Sequence, residues 1–96
     1  MNYVLLKGAS KDIRESVLFY NQEKEGLGLE FSNEIKSTIS TITQFPEAWP
    51  KVDKWFRQCQ VERFPFSIVY HIESERIVIV AVSHMKRKPG YWQKRL

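Results

Sequence analysis

A single cysteine, Cys59, occurs in the 96 residues, so no internal disulfide forms and a disulfide-stapled secreted scaffold is excluded. The two histidines, His71 and His84, show no metal-ligand spacing with it or with each other, so no metal is expected. Glycine is scarce too. Its one close pair, Gly26-Leu27-Gly28, lacks the preceding strand and the third glycine of a dinucleotide site, and no cofactor is expected. No Ser/His/Asp triad signature, internal repeat or low-complexity segment occurs. Long apolar runs are missing as well, and the first twenty residues carry Lys7, Lys11, Asp12, Arg14 and Glu15. Neither a secretory leader nor a membrane span is therefore expected, and the expected location is the cytoplasm.

A chain of this length makes one domain, residues 1–96, with one core and no room for a deep internal cleft, so function is expected at the surface. The formal charge of +4 is unevenly divided. Residues 1–48 hold five Lys/Arg against seven Asp/Glu, net −2, and residues 49–96 hold ten against four, net +6. Clustered positive charge of this kind suits an anionic partner, whether nucleic acid or an acidic protein segment, or serves as a solubilising surface.

The order of elements reads β-α-α-β-β-β, an α+β fold. Tyr3 to Lys7 is a short β-prone run ending at Gly8. Ser10 is a plausible N-cap for a first helix to about Glu25, with Asp12 in its first turn and Ile13, Val17 and Tyr20 at helical spacing; Gly26 stops it. A second helix is signalled by Phe31, Ile35, Ile39, Ile42 and Phe45, ending at Pro46. The short connection makes the two an antiparallel hairpin whose apolar side covers the strands. Glu47 to Lys54 reads as a loop and Trp55 to Glu62 as a strand, in which Arg57 shares the more apolar side with Trp55, Cys59 and Val61. That placement implies either a bulge or a specific partner for Arg57.

Phe66 to Ile72 and Ile77 to His84 flank the polar turn Glu73-Ser74-Glu75-Arg76 and form an antiparallel hairpin. Its expected register pairs Ile72 with Ile77, Tyr70 with Ile79, Ile68 with Ala81 and Phe66 with Ser83. Under the helices should lie Phe66, Ile68, Tyr70, Ile72, Ile77, Ile79 and Ala81. The other face, with Ser67, Val69, His71, Val78, Val80, Val82 and His84, is expected to be partly open and is the better place for a site.

Taken in order, Asp12-Ile13, Phe19-Tyr20-Asn21, Gly26-Leu27-Gly28, Phe31 and Pro46-Glu47 precede Arg57, Arg63-Phe64-Pro65-Phe66, Tyr70 and His84-x-x-Arg87-x-Pro89-x-x-Trp92. This succession resembles the RelE/ParE superfamily, toxins of type II toxin-antitoxin modules, with the plasmid stabilization proteins close in pattern. The resemblance covers nearly the whole chain. It implies a three- or four-stranded antiparallel sheet packed on one face by the helical hairpin, and a cognate antitoxin that lays a helix or strand across the toxin. Members resembling RelE cleave mRNA on the ribosome, whereas those resembling ParE inhibit DNA gyrase without nuclease chemistry, so the residues must decide between them.

Metal-free RNA cleavage needs a proton acceptor for the ribose 2′-hydroxyl, cations around the phosphate and an acid for the leaving oxygen. His84 offers acid or base, with Arg57, Arg63, Lys86 and Arg87 as charge stabilisers and Tyr91 to stack on a base. The ribonuclease branch usually carries an arginine near the positions of Pro65 and Phe66, and this chain has none there. The residue-level reading therefore leans to a toxin that is not an enzyme and that binds a protein target through Lys86, Lys88, Tyr91, Trp92, Lys94 and Arg95. The alternatives are a ribosome-dependent endoribonuclease using His84, Arg57, Arg63 and Arg87, and an inactive member kept as a binding module. Each residue also has a plainer role: His84 capping a strand end, Arg57 and Arg63 in surface pairs, Lys86 to Lys88 as a solvated tail, and Tyr91 and Trp92 folded back on the sheet.

Overall fold

The computed structural model describes residues 1–96. The elements are β1 (Asn2–Leu5), α1 (Lys7–Glu23), α2 (Leu27–Gln44), β2 (Arg57–Gln60), β3 (Phe66–Glu73), β4 (Arg76–His84) and a 3-10 turn over Gln93–Arg95. The sheet order is β1-β4-β3-β2, and the element order is β-α-α-β-β-β as the sequence indicates. The β2-β3 and β3-β4 pairs are antiparallel, but β1 joins β4 in parallel, so the sheet is mixed rather than wholly antiparallel. No helix is long and apolar enough to cross a membrane.

The strand β1 runs straight into α1. Leu6 stays extended and its N–H reaches the Ile79 carbonyl at 3.0 Å, so the helix starts at Lys7, three residues before Ser10, and no side chain caps it. Asp12 is therefore not a first-turn charge; it lies in the second turn, on the buried side of the helix. Gly26, at φ 85°, supplies the left-handed residue that turns the chain from α1 into α2. On α2 the residues Phe31, Ile35, Ile39 and Ile42 are buried under the sheet, each contributing on the order of 1.5–3 kcal/mol. Phe45 leaves the stripe, contrary to the periodicity. The helix ends at Gln44, ahead of Pro46, and Phe45 swings outward to 59% exposure.

Strand β2 is shorter than the alternation suggests, and Arg57 is not bulged. Its guanidinium donates to the carbonyls of Trp49 (2.7 Å) and Glu47 (3.3 Å), while the Tyr70 hydroxyl donates to that of Pro46 (2.5 Å). Together these bonds fasten the irregular 45–50 segment to the sheet, because backbone acceptors in a coil have no ladder of their own.

The β3-β4 turn is a two-residue connection with Ser74 at φ 48° and Glu75 at φ 63°, both left-handed and both non-glycine. Each such residue costs roughly 1–2 kcal/mol, partly offset by the entropy glycine loses on folding. Installing Asn-Gly here (S74N/E75G) is expected to stabilise the protein by about 1 kcal/mol, seen as a rise of roughly 4–8 °C in the thermal midpoint. An unchanged or lower midpoint would mean that the two residues carry no strain.

The register agrees with expectation only as far as Tyr70↔Ile79. Beyond it Val69 pairs with Ala81, Ile68 with Val82, Ser67 with Ser83 and Phe66 with His84, leaving Val80 unpaired in a bulge. Val80 and Ala81 consequently point the same way, into a second cluster with Phe56, Val69, Val78 and Trp92. Val82 joins the helix-side cluster with Phe66, Ile68 and Tyr70. The expected faces are thus exchanged past the bulge: Val82 and His84 lie with the helices, and Ala81 and Ser83 oppose them. The second face is also not open over most of its length, since Phe56, Trp92, Leu6 and Tyr91 cover it.

Candidate functional site

The bulge is held from two directions. The Asp12 carboxylate on α1 accepts the Val82 N–H at 3.0 Å, and Arg95 donates to the Val80 carbonyl at 3.0 Å. Arg95 and Asp12 also pair through two bonds, at 2.8 and 3.1 Å, with the Asp12 side chain only 5% exposed. The Tyr91 hydroxyl adds a fourth donor to Asp12 at 3.3 Å. Gly8 makes room for this arrangement: a Cβ there would stand 2.6 Å from the Arg95 Nε. These contacts occupy the edge of β4 beyond the end of β1, where main-chain groups lack a strand partner.

Two grooves meet beside this network, and His84 and Arg87 line both. The first, about 250 Å³, runs between α1 and the sheet over an apolar floor of Phe19, Tyr20, Phe66 and Val82, with Glu15 on its α1 side. Leu18 and Phe19 stand 64% and 56% exposed. The second, about 410 Å³, lies on the opposite face between the 51–53 loop and the C-terminal segment. Neutral Gln58, Ser67 and Ser83 line it together with Asp53, His84 and Arg87.

His84 packs edge-on against Phe66 (ring centroids 5.0 Å), and its Nδ1 accepts the Lys86 N–H at 3.0 Å. A backbone N–H can only donate, so the neutral ring carries its proton on Nε2 and presents a donor to the grooves. Arg87 lies over the Tyr91 ring at 3.9 Å and enters none of the four ion pairs. His71 donates from Nδ1 to the Trp55 carbonyl.

The remaining sequence-selected residues are dispersed. Arg57 is committed to the 47–49 carbonyls, and Arg63 pairs with Glu30 of α2 at 2.9 Å in a half-exposed bridge. Trp92, at 6% exposure, is packed edge-on against Phe56 (4.7 Å), and Tyr91 is half-buried between the Arg87 and Arg95 guanidiniums. Lys86, Lys88 and Lys94 are exposed. Asp12, Glu15 and Phe19 line the first groove and Ser67 and Ser83 the second, although the sequence does not single them out as site residues. For Asp12 a signal existed: Ala9, Asp12, Ser16 and Tyr20, at steps of three, four and four, place an acid on the inward side of α1.

The shifted ionisations belong to the scaffold. Burial pushes the Cys59 thiol up to about 11, helped by Glu62, and pushes the Tyr70 phenol up to about 12 against the opposing pull of Arg57. Burial first, then the Asp12 charge, raises Tyr91; hydrogen bonding to Asp12 raises Arg95. The three phenols and thiols stay protonated and Arg95 stays charged, so none of them supplies a base near neutral pH.

The sequence profile described as "ParE toxin of type II toxin-antitoxin system, parDE" matches residues 3–89. A chain of the solved "Chromosomal ParDE TA system from P. aeruginosa" shares the fold, with a TM-score of 0.80 at 18% identity over 90% of this chain and 97% of that one. No curated protein matches this sequence.

Proposed function

Because this chain belongs to the ParE toxin family of type II toxin-antitoxin systems, we propose that it arrests growth by binding a protein target in the cytoplasm, DNA gyrase, and that a cognate antitoxin neutralises it. The observation that carries this reading is how the cations are spent. Of the set a nuclease would use, Arg57 holds a loop and Arg63 pairs with α2, leaving Arg87 and the exposed Lys86 near His84. The ring of His84 meets the grooves with a donor, and so is poorly placed to take a 2′-hydroxyl proton. A surface without an assembled acid-base pair supports binding rather than cleavage.

For the antitoxin, the first groove is the better seat. An apolar floor flanked by exposed Leu18 and Phe19 suits an amphipathic segment whose apolar side lies downward, with Glu15 and Arg87 on the rim to orient it.

One expression experiment tests both halves. Produced without antitoxin, the chain should stop growth, reduce plasmid supercoiling and leave mRNA ends unchanged, and H84A should remain toxic. Co-expressed antitoxin should restore growth to the wild type but not to F19D, whose affinity for it should drop at least about tenfold. Codon-phased mRNA cuts that vanish in H84A would instead establish the endoribonuclease, and absence of any growth defect would establish an inactive binding module.

A further inference from the structure

The outward side of α1 carries a charge pattern that neither groove uses. Lys7, Lys11 and Arg14 follow one another at steps of four and three, so they stand within about 60° of arc on one side of the helix. All three are exposed, and with Leu5, Gly8 and Ser10 they line one depression beside the end of β1. None of its lining residues is acidic or aromatic.

The acids of the same helix leave these cations largely unmatched. No acidic residue stands in the first turn, and Asp12 is buried and spent on Arg95, Tyr91 and the Val82 N–H. Glu15 approaches Lys11 only to 4.0 Å, with the two side chains 62% and 65% exposed, a loose surface pair that another anion displaces. Lys7 and Arg14 enter no ion pair. Counting charge along the chain hides this face, because residues 1–48 are net negative as a whole.

A row of unpaired cations fits a row of anions. Seven residues of helix rise about 10.5 Å, and one strand of duplex DNA presents a phosphate about every 3.4 Å of its axis, so the three side chains span about three consecutive phosphates. With no aromatic ring in the depression, nothing there stacks on an unpaired base, which favours the double helix over a single strand. We propose that this face of α1 docks on the backbone of duplex DNA, irrespective of base sequence, with Lys7, Lys11 and Arg14 each against a phosphate. Both grooves stay free in that arrangement, since none of the three residues lines them. The inference is independent of the gyrase reading, because the contact is with DNA alone.

Fluorescence anisotropy of a short labelled duplex, titrated with the full chain from about 50 to about 200 mM salt, tests it. Three neutralised phosphates at about 0.9 each give a slope of about −2.7 for log affinity against log salt, roughly a fortyfold loss across that range. K7Q/R14Q should bring the slope to about −0.9 and weaken binding at low salt at least about tenfold whatever the base sequence. K51Q/K54Q removes the same charge from exposed positions before β2 and should titrate close to the wild type. Both double variants should melt as the wild type does, since glutamine suits exposed helix positions and Lys51 and Lys54 are exposed as well. Absence of saturable binding at low salt, a slope near zero, or equal weakening by the two double variants would each overturn the proposal. Single-stranded DNA or polyglutamate displacing the duplex at equal or lower concentration would overturn the choice of occupant. None of these outcomes bears on the supercoiling result, so the two readings fail separately.

Discussion

Replacing Asp12 with alanine is expected to lower the free energy of unfolding by about 3–5 kcal/mol, the range for removing one partner of a buried ion pair. The loss is large because four donors converge on one carboxylate: the Val82 N–H, the Tyr91 hydroxyl and two guanidinium nitrogens of Arg95. Without it the Arg95 charge, in a side chain only 22% exposed, loses its counter-ion, and the Val82 N–H has no ladder acceptor to fall back on. For a domain of this length each kcal/mol moves the midpoint by roughly 4–8 °C, so a fall well above about 10 °C should be visible by thermal circular dichroism. The double replacement D12L/R95M removes both charges and should recover much of the loss, since burying neither ion avoids their desolvation. A small effect for D12A, near the 0–1 kcal/mol of an exposed pair, would mean that solvent already reaches the carboxylate. The Arg63–Glu30 bridge supplies that comparison within the same protein, because both its side chains are about half exposed.

Truncating Phe31 to alanine is expected to cost about 3–5 kcal/mol as well, by a different route. Phe31 is fully buried, with the rings of Tyr20, Phe64 and Phe66 at 5.3, 5.2 and 4.8 Å. It is the point where α1, α2 and the start of β3 share one aromatic cluster. Removing the ring leaves a cavity that three partners on separate elements cannot close together, so the transfer and cavity penalties add. Urea unfolding should show the midpoint fall with little change in slope, and F31L should restore more than half of the loss. A cost below about 1 kcal/mol would indicate that the cluster is loosely packed.

Both predictions rest on contacts whose legibility in the sequence differed sharply. The Phe31, Ile35, Ile39 and Ile42 stripe announces itself because a helix repeats every 3.6 residues and the intervening positions are polar. The turn at Ser74-Glu75 is equally plain between two apolar runs. The register beyond Tyr70 was hidden for a physical reason: Ile77 to Val82 is apolar at every position, so alternation carries no information about phase. What sets the phase is the bulge at Val80, and what holds the bulge comes from Asp12 and Arg95, 70 and 15 residues away along the chain. Arg57 stands out in the sequence as anomalous, but its acceptors are main-chain carbonyls of an aperiodic loop, which residue types do not encode. For the site, His84 and Arg87 were found by residue type, yet the side of the sheet on which His84 lies followed from the bulge. Ser67 and Ser83 carry no sequence signal, since their interest lies in register and enclosure rather than in chemical rarity.

The pairing of Asp12 with Arg95 spans 83 positions. Bringing such distant points together is entropically slow relative to forming the helical hairpin or the Ser74-Glu75 turn, whose contacts are local. The C-terminal segment is thus expected to dock late in folding, and Arg87 and Tyr91 dock with it. Hydrogen exchange at the Val82 amide would report how often it undocks, because that proton is guarded by a side chain and not by a neighbouring strand.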